Sequence, residues 1–224
     1  MNNEKRFFIE IGSADMDTCI PLAENGWNGI IVEPINAYLK NLKRVDGVIY
    51  ENLGISGDGS DYDITYIDMN YYTRKGFLPQ HKSEPHVDIH AWVGDHQLPI
   101  DEKEHPIAAT IWARGLGSMV STKEIDNAVE QFPSLKDDIK TIKVETLTLN
   151  DLIKKHNVKR IDFMKIDVEG MEYDIISNYD WKIKPSFMKI EHQHMGDDYF
   201  RFLDILNSMG YKYWSESSDI YAIN

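Results

Sequence analysis

The chain has 224 residues, of which 24 are lysine or arginine and 37 are aspartate or glutamate, so its formal net charge is −13 with histidine counted as neutral. Proteins that bind nucleic acid or an acidic membrane surface do so through basic residues, so we expect neither as a partner. A chain of this length can bury a substantial core without disulfides or a structural metal.

The single cysteine, Cys19, cannot form an internal disulfide, and the first fifteen residues lack the apolar stretch of a signal peptide. No run approaches the roughly 18 apolar residues that span a bilayer. We therefore expect a cytoplasmic protein with no membrane span. Nothing in the sequence indicates an oligomeric state.

Short apolar runs alternate with amphipathic segments in the two outer thirds of the chain. In chain order, the first third predicts a strand at 7–11, a helix at 17–25, a strand at 29–32, a helix at 35–43 and a strand at 48–50. The last third predicts a strand end running into a helix at 146–156, a strand at 161–167, a helix at 172–178, a strand at 187–191, a helix at 199–209 and a closing hairpin of 211–214 with 219–223. This alternation predicts an α/β fold: a mostly parallel sheet with helices on both faces and one antiparallel edge strand.

The middle of the chain, about 58–140, differs in character. Alternation of Tyr62, Ile64 and Tyr66 with polar residues predicts a half-exposed strand, and a capping-box pattern from Ser121 predicts a helix to about Phe132. Residues 71–118 carry five of the eight histidines. Because so long an interruption is usually functional, we interpret it as a cap inserted into a single domain of residues 1–224.

Ligands of an open parallel sheet bind beyond the carboxyl ends of its strands, where the chain order reverses. Gly12 ends the first strand, and Glu33 ends the second, 21 residues later, close to the spacing at which an acidic residue binds the ribose of a nucleotide. The dinucleotide pattern G-x-G-x-x-G fails because Ala14 and Asp17 replace the second and third glycines. The residues therefore favour an adenosine cofactor without a pyrophosphate, although each of the pair could instead serve only a turn or a cap.

A second acidic cluster follows the fourth predicted main strand. Asp167 and Glu169 come directly after it, and Glu172 begins the next helix. For Glu172 the sequence favours an ordinary first-turn acid that complements the helix dipole. Asp167 differs, because a carboxylate at a strand tip needs a ligand, a metal or a hydrogen-bond donor.

Three stretches of this chain resemble the FkbM-type methyltransferases. They are FFIEIGSADMDTCIPLAENGWNGIIVEP at 7–34, KVETLTLNDLIKKHNVKRIDFMKIDVEGMEY at 143–173 and PSFMKIEHQH at 185–194. The resemblance implies a class I, Rossmann-like methyltransferase fold. It also implies that S-adenosylmethionine is the cofactor and that the methyl group goes to an oxygen, often of a sugar or glycan. The first loop departs from the family pattern at residues 14–17, which read Ala-Asp-Met-Asp.

Carried over by position, the resemblance implies a set of cofactor-binding residues at the strand ends. Glu10, Gly12 and Ser13 would border the methionine part, Glu33 would bind the ribose, the loop 53–56 would flank the adenine, and Asp167 would face the amino group or the acceptor. The full predicted set is Glu10, Gly12, Ser13, Asp17, Thr18, Glu33, Pro34, Leu53, Gly54, Ile55, Ser56 and Asp167.

Methyl transfer to a hydroxyl needs the acceptor about 3 Å from the methyl carbon and a group that removes a proton. We predict His192, Asp167 and Glu191 as the catalytic groups, with His192 as the base, and Trp92, Trp112, Arg114 and His194 as residues that contact the acceptor. A metal-free mechanism is favoured; a Mg²⁺ ion, if bound, would be held by Asp167 and Glu191. A peptide, lipid or other small-molecule acceptor, or a non-catalytic cofactor-binding relative, remains the alternative.

Overall fold

The computed structural model describes residues 5–14, 19–68, 117–118, 123–131 and 133–224. The chain divides into two compact units, one of residues 1–64, 118–120 and 143–224, and one of residues 65–117 and 121–142. The strand ends and acidic clusters predicted from the sequence lie in the first unit.

Twelve strands occur in the described residues. In chain order they are β1 (Phe7–Ile11), β2 (Asn28–Val32), β3 (Val48–Glu51), β4 (Gly54–Ile55), β5 (Tyr62–Ile67), β6 (Gly117–Ser118), β7 (Ile139–Val144), β8 (Thr146–Leu147), β9 (Phe163–Ile166), β10 (Phe187–Glu191), β11 (Lys212–Glu216) and β12 (Asp219–Ile223). The described α-helices are α1 (Ile20–Glu24), α2 (Asn36–Asn41), α3 (Lys123–Gln131), α4 (Leu149–Lys155), α5 (Glu172–Ser177) and α6 (Asp198–Ser208).

The main sheet has seven strands in the order β11-β12-β10-β9-β1-β2-β3. Five neighbouring strands, β3, β2, β1, β9 and β10, are parallel. Because they alternate with helices along the chain, each crossover can cover the sheet, and the strands are rich in fully buried isoleucine. The predicted α/β fold with a mostly parallel sheet is confirmed.

Helices cover both faces of this sheet. On one face, Ile9, Ile30 and Met164 belong to a core that also contains residues of α4, α5 and α6. On the other face, Phe8 and Ile31 pack in a second core with residues of α1 and α2. This is the alternation of side chains expected of strands that are buried on both sides.

The two last strands form the predicted antiparallel hairpin, and the reversed strand is β12. It pairs antiparallel with β10 as well as with β11. The reversed strand therefore lies one position inside the sheet, and the edge strand β11 runs parallel to the main set. The sequence does not show which of the two strands pairs with β10, because β11 and β12 form the same hairpin with either one at the edge of the sheet.

The described part of the second unit contains α3 and a 3₁₀ helix at Pro133–Asp138. Its boundaries with the first unit fall within β5, β6 and β7 and between residues 120 and 121. β5 lies between β6 and β7 in a three-stranded sheet. Asp68 donates its backbone N–H to the Asp138 carbonyl over 2.7 Å, and its carboxylate forms an ion pair with Lys140. The predicted helix near 121–132 is present as α3.

Among the helices in the described ranges, none has both the length and the apolar character needed to cross a bilayer. Several predicted functional residues lie outside these ranges: Asp17, Thr18, Trp92, Trp112 and Arg114. The same is true of most of the segment interpreted as a cap, so the cap stays a prediction.

Candidate active site

The chain order of the main sheet reverses at β1. From β1 the chain moves to β2 and β3 on one side, and β9 and β10 lie on the other side. β1 and β9 are adjacent parallel strands, with Ile11 in register with Ile166. Their carboxyl ends are therefore the position at which a doubly wound sheet binds its ligand.

The segments that leave β1 and β9 touch each other at Gly12 and Asp167. A Cβ atom on Gly12 would lie 1.7 Å from the backbone carbonyl oxygen of Asp167, and Gly12 has a φ of +77°. A residue with a side chain meets both a steric clash and an unfavourable backbone conformation there. Glycine is therefore required for the two loops to approach so closely.

Glu33, at the end of β2, fastens the loop after β1. Its carboxylate accepts the N–H of Ala14 over 2.8 Å and the N–H of Ile35 over 2.8 Å, and the residue is only 3% exposed. Ala14 has a φ of +48°, a conformation that costs a non-glycine residue on the order of 1 kcal/mol. The buried carboxylate therefore stabilises this strained turn.

Glu172 performs the same task after β9. The residue is fully buried, and its carboxylate accepts the N–H groups of Val168 (2.8 Å) and Gly170 (3.0 Å). Glu169 and Gly170, within this turn, have positive φ angles. Burial raises the pKa of the Glu172 carboxyl, against the opposing effect of these hydrogen bonds. The expectation that Glu172 is an ordinary first-turn acid is therefore wrong, since its side chain holds the loop from inside.

A lysine that sequence analysis did not select lies below both loops. Lys165 of β9 is 7% exposed, and its ammonium is 3.1 Å from Asp167 Oδ2 and 3.6 Å from Glu10 Oε1. Glu10 is fully buried and also accepts the N–H of Cys19 over 3.3 Å. Burial acts to lower the pKa of Lys165, but the charges of Asp167 and Glu10 outweigh it, and the net pKa lies above its usual value.

Two polar atoms at the carboxyl end of β10 have no hydrogen-bond partner within the described residues. They are Glu191 Oε2 and His192 Nε2, and both atoms are buried. Burial, followed by the charges of Asp167, Glu169 and other nearby carboxylates, raises the pKa of Glu191 to about 8. Because buried polar groups are normally paired, such atoms beside a candidate site are available for a ligand or for proton transfer.

His194 pairs with Glu169, with 3.0 Å between His194 Nε2 and Glu169 Oε2. One ligand atom from each of Glu169, Glu191 and His194 lies within 4.8 Å of the others. These three side chains offer donors suited to a divalent cation, a different set from the predicted Asp167 and Glu191. Oxygen and imidazole donors at this spacing occur without a metal as well, so the cluster by itself assigns none.

The other predicted cofactor residues are placed as follows. Leu53, Ile55 and Ser56 are at most 6% exposed; the first two belong to the core, and the Ser56 hydroxyl accepts the N–H of Gly59. Ser13 is buried, and its hydroxyl donates to the Ala14 carbonyl. Gly54 pairs with Thr146 in the short β4-β8 sheet, and Pro34 is half-buried. The adenine contacts of the 53–56 segment stay a prediction.

Sequence analysis missed Lys165 and the buried role of Glu172. A signal existed for the lysine: it lies within an otherwise apolar strand two residues before Asp167, and a charged residue in a two-sided buried strand needs a partner. For Glu172 the signal is weaker, because acids are common in the first turn of any helix.

A seven-stranded, mostly parallel sheet with helices on both faces and an acidic cluster at the carboxyl ends of its central strands defines a Rossmann-like methyltransferase fold. A family model, the methyltransferase FkbM domain, matches residues 10–213. The chain belongs to the FkbM methyltransferase family. Comparisons with curated proteins and with solved structures returned no match.

Proposed function

We propose that this methyltransferase uses S-adenosylmethionine and transfers its methyl group to an oxygen of a sugar or glycan-type acceptor. The proposal that the cofactor is S-adenosylmethionine rests on the position of Glu33. Its carboxylate binds the N–H of Ala14 and so holds the loop after β1 against the end of β2. Glu33 follows Gly12 by 21 residues, at the position where a nucleotide ribose binds in sheets of this type. The family supports methyl transfer in general.

The charge of the site favours a cationic cofactor over a pyrophosphate. The described residues at this edge include the carboxyl groups of Glu10, Glu33, Asp167, Glu169 and Glu172, whereas Lys165 contributes a single ammonium to the Glu10–Asp167 pair. Glu191 is left out of this balance, because its pKa of about 8 keeps it mostly protonated at neutral pH. S-adenosylmethionine carries a sulfonium and an amine, which an acidic edge attracts. A dinucleotide would bring phosphates into the same field.

In the proposed reaction the acceptor oxygen attacks the methyl carbon in line with the sulfur, and the fold contributes mainly by positioning. His192 would accept the hydroxyl proton, because its Nε2 has no hydrogen bond to the described residues. Asp167 would face the amino group of the cofactor or the acceptor. We propose a reaction without a metal ion, because a general base at this edge can accept the hydroxyl proton without a cation.

Calorimetric titration of the purified protein tests the cofactor. We expect S-adenosylmethionine to bind with a Kd of about 1 μM–1 mM, the ordinary range of KM for enzyme substrates, and NAD to give no heat of binding. Absence of S-adenosylmethionine binding would contradict the proposal. Transfer of a labelled methyl group to a panel of sugars, glycans, peptides and lipids then distinguishes the acceptor classes from a non-catalytic relative, which would bind the cofactor and label nothing.

A further inference from the structure

Lys165 lies at the centre of the edge that the proposed function assigns to the cofactor. It is in register with Glu10 on β1 and with Lys189 on β10. Its ammonium contacts Asp167 Oδ2 at 3.1 Å and Glu10 Oε1 at 3.6 Å, and donates to the Gly12 carbonyl at 3.4 Å. A lysine this deeply buried is rare unless its charge is paired.

The two carboxylates bound by Lys165 differ in exposure. The Glu10 side chain is fully buried, whereas the Asp167 side chain is 33% exposed. Lys165 contacts Oδ2 of Asp167, and no hydrogen bond from the described residues reaches Oδ1. The lysine thus holds Asp167 from the interior through one oxygen, and the other oxygen can accept a bond from a ligand.

The charge of this group has a definite balance. One ammonium faces two carboxylates, so the trio of Glu10, Lys165 and Asp167 carries a net charge of −1 when all three are ionised. The same lysine also touches the Gly12 carbonyl, so it links the loop after β1 to the end of β9. A single primary ammonium from a ligand would complete the pairing at Asp167.

We propose that Lys165 is a positioning residue that orients Asp167 to accept a hydrogen bond from the amino group of the methionine part of the cofactor. This inference rests on the proposed function, and it adds the residue that fixes the geometry of the amino-acid end. Lys165 itself acts through Asp167 and carries no chemical step.

Two ligands separate this role from a general structural one. S-adenosylhomocysteine contains the amino acid, whereas 5′-methylthioadenosine contains the adenosine without it. For Lys165→Met, calorimetry should show S-adenosylhomocysteine binding at least 10-fold more weakly, and 5′-methylthioadenosine binding within twofold of wild type. The matched control is Lys189→Met, which removes a lysine at the same register of the next strand, where it pairs with Asp219 at 3.1 Å. The control should bind both ligands as wild type does.

Lys165→Met removes the ammonium that pairs with Glu10 and Asp167, and this change could unfold the protein. A second variant therefore tests the proposal with the charge balance restored. Lys165→Met with Glu10→Gln restores the net charge of −1, and Glu10→Gln alone reports the effect of that change. The double variant should show the same selective loss of S-adenosylhomocysteine relative to Glu10→Gln.

Equal weakening of both ligands, unchanged binding, or unfolding of both Lys165 variants would each overturn the positioning role. Failure of the wild-type protein to bind S-adenosylmethionine or S-adenosylhomocysteine would instead overturn the proposed function, and the inference with it. The wild-type titration therefore distinguishes the two failures.

Discussion

The loop after β1 and the carboxyl end of β10 lie at the same edge of the main sheet, but they differ in how many of their polar groups are hydrogen-bonded. In the first region the Glu33 carboxylate accepts two backbone N–H groups and Gly12 packs against Asp167. In the second, Glu191 Oε2 and His192 Nε2 are buried and receive no hydrogen bond from the described residues.

This difference distinguishes polar groups that fix the shape of a loop from polar groups that are available to a ligand. A loop whose donors and acceptors are already paired is preorganised. It therefore loses little conformational entropy when a ligand binds. Unpaired buried groups cost free energy and persist where a function uses them. We therefore propose that the β1 side binds the cofactor and that the β10 side binds the acceptor and receives its proton.

The largest expected effect comes from disturbing the preorganised side with Gly12→Ala. The new Cβ would lie 1.7 Å from the Asp167 carbonyl oxygen, so the loops must separate. We expect a loss of about 3–4 kcal/mol in the free energy of unfolding, from overpacking together with the left-handed φ, and loss of cofactor binding. Denaturant unfolding and calorimetry measure the two effects.

Gly26→Ala is the matched control for this change. Gly26 has a φ of +88°, similar to that of Gly12, but a Cβ there would meet no atom within 4 Å. The control should lose only about 1 kcal/mol and keep cofactor affinity. Equal effects of the two substitutions would mean that backbone strain, not the contact with Asp167, accounts for the result.

The second prediction concerns the β10 side and uses the acceptor identified by the labelling screen. His192→Ala should lower kcat at least 100-fold, about 3 kcal/mol, because general bases contribute on the order of 10²–10⁴ in rate. Its Kd for S-adenosylmethionine should stay within twofold. His156→Ala, which removes a histidine paired with Glu51 at 2.6 Å, serves as the control and should retain turnover. Wild-type kcat in His192→Ala would remove this residue from the mechanism.

The smallest expected effect is a pH-dependent gain in stability for Glu191→Gln. Because the pKa of Glu191 is raised to about 8, the folded chain keeps a proton between the ordinary glutamate pKa and about 8 that the unfolded chain has released. The free energy of unfolding therefore falls as the pH rises through this range. Glutamine stays neutral, so the variant should match wild type at pH 5 and exceed it at pH 9 by about 2 kcal/mol, after allowing for screening by solvent.

Thermal unfolding at the two pH values measures this gain, with the exposed Glu216→Gln as the control. Repeating the pH 9 measurement with Mg²⁺ or with a chelator tests the metal-free interpretation, which expects no change in Tm. A rise in the wild-type Tm with Mg²⁺ that is absent from Glu191→Gln would show that the acidic donors hold a cation after all.

Much of this fold could be predicted from the sequence because its strands are short apolar runs bounded by turn residues. β1 and β10 have the predicted bounds, and the rule that ligands bind at the carboxyl edge predicts Gly12 and Asp167 at the same edge, where the structure has them in contact. Such features depend on local pattern and on topology alone.

The remaining features depend on three-dimensional contacts. The buried position of Glu172 depends on its hydrogen bonds from the N–H groups of Val168 and Gly170. The sequence alone does not distinguish such a residue from an exposed acid in the first turn of a helix. The partner of Lys165 could not be predicted from local pattern, because Glu10 lies on a neighbouring strand that is distant in sequence. The position of β12 inside the sheet likewise depends on a pairing with β10 that lies far away in sequence.

That position of β12 bears on the order in which the protein is built. β11 reaches the main sheet only through β12, which pairs with it on one side and with β10 on the other. During synthesis, β11 emerges first and has no strand of the main sheet beside it until β12 follows. Nascent chains that stop before β12 would thus carry an unpaired β10 edge, a surface prone to aggregation.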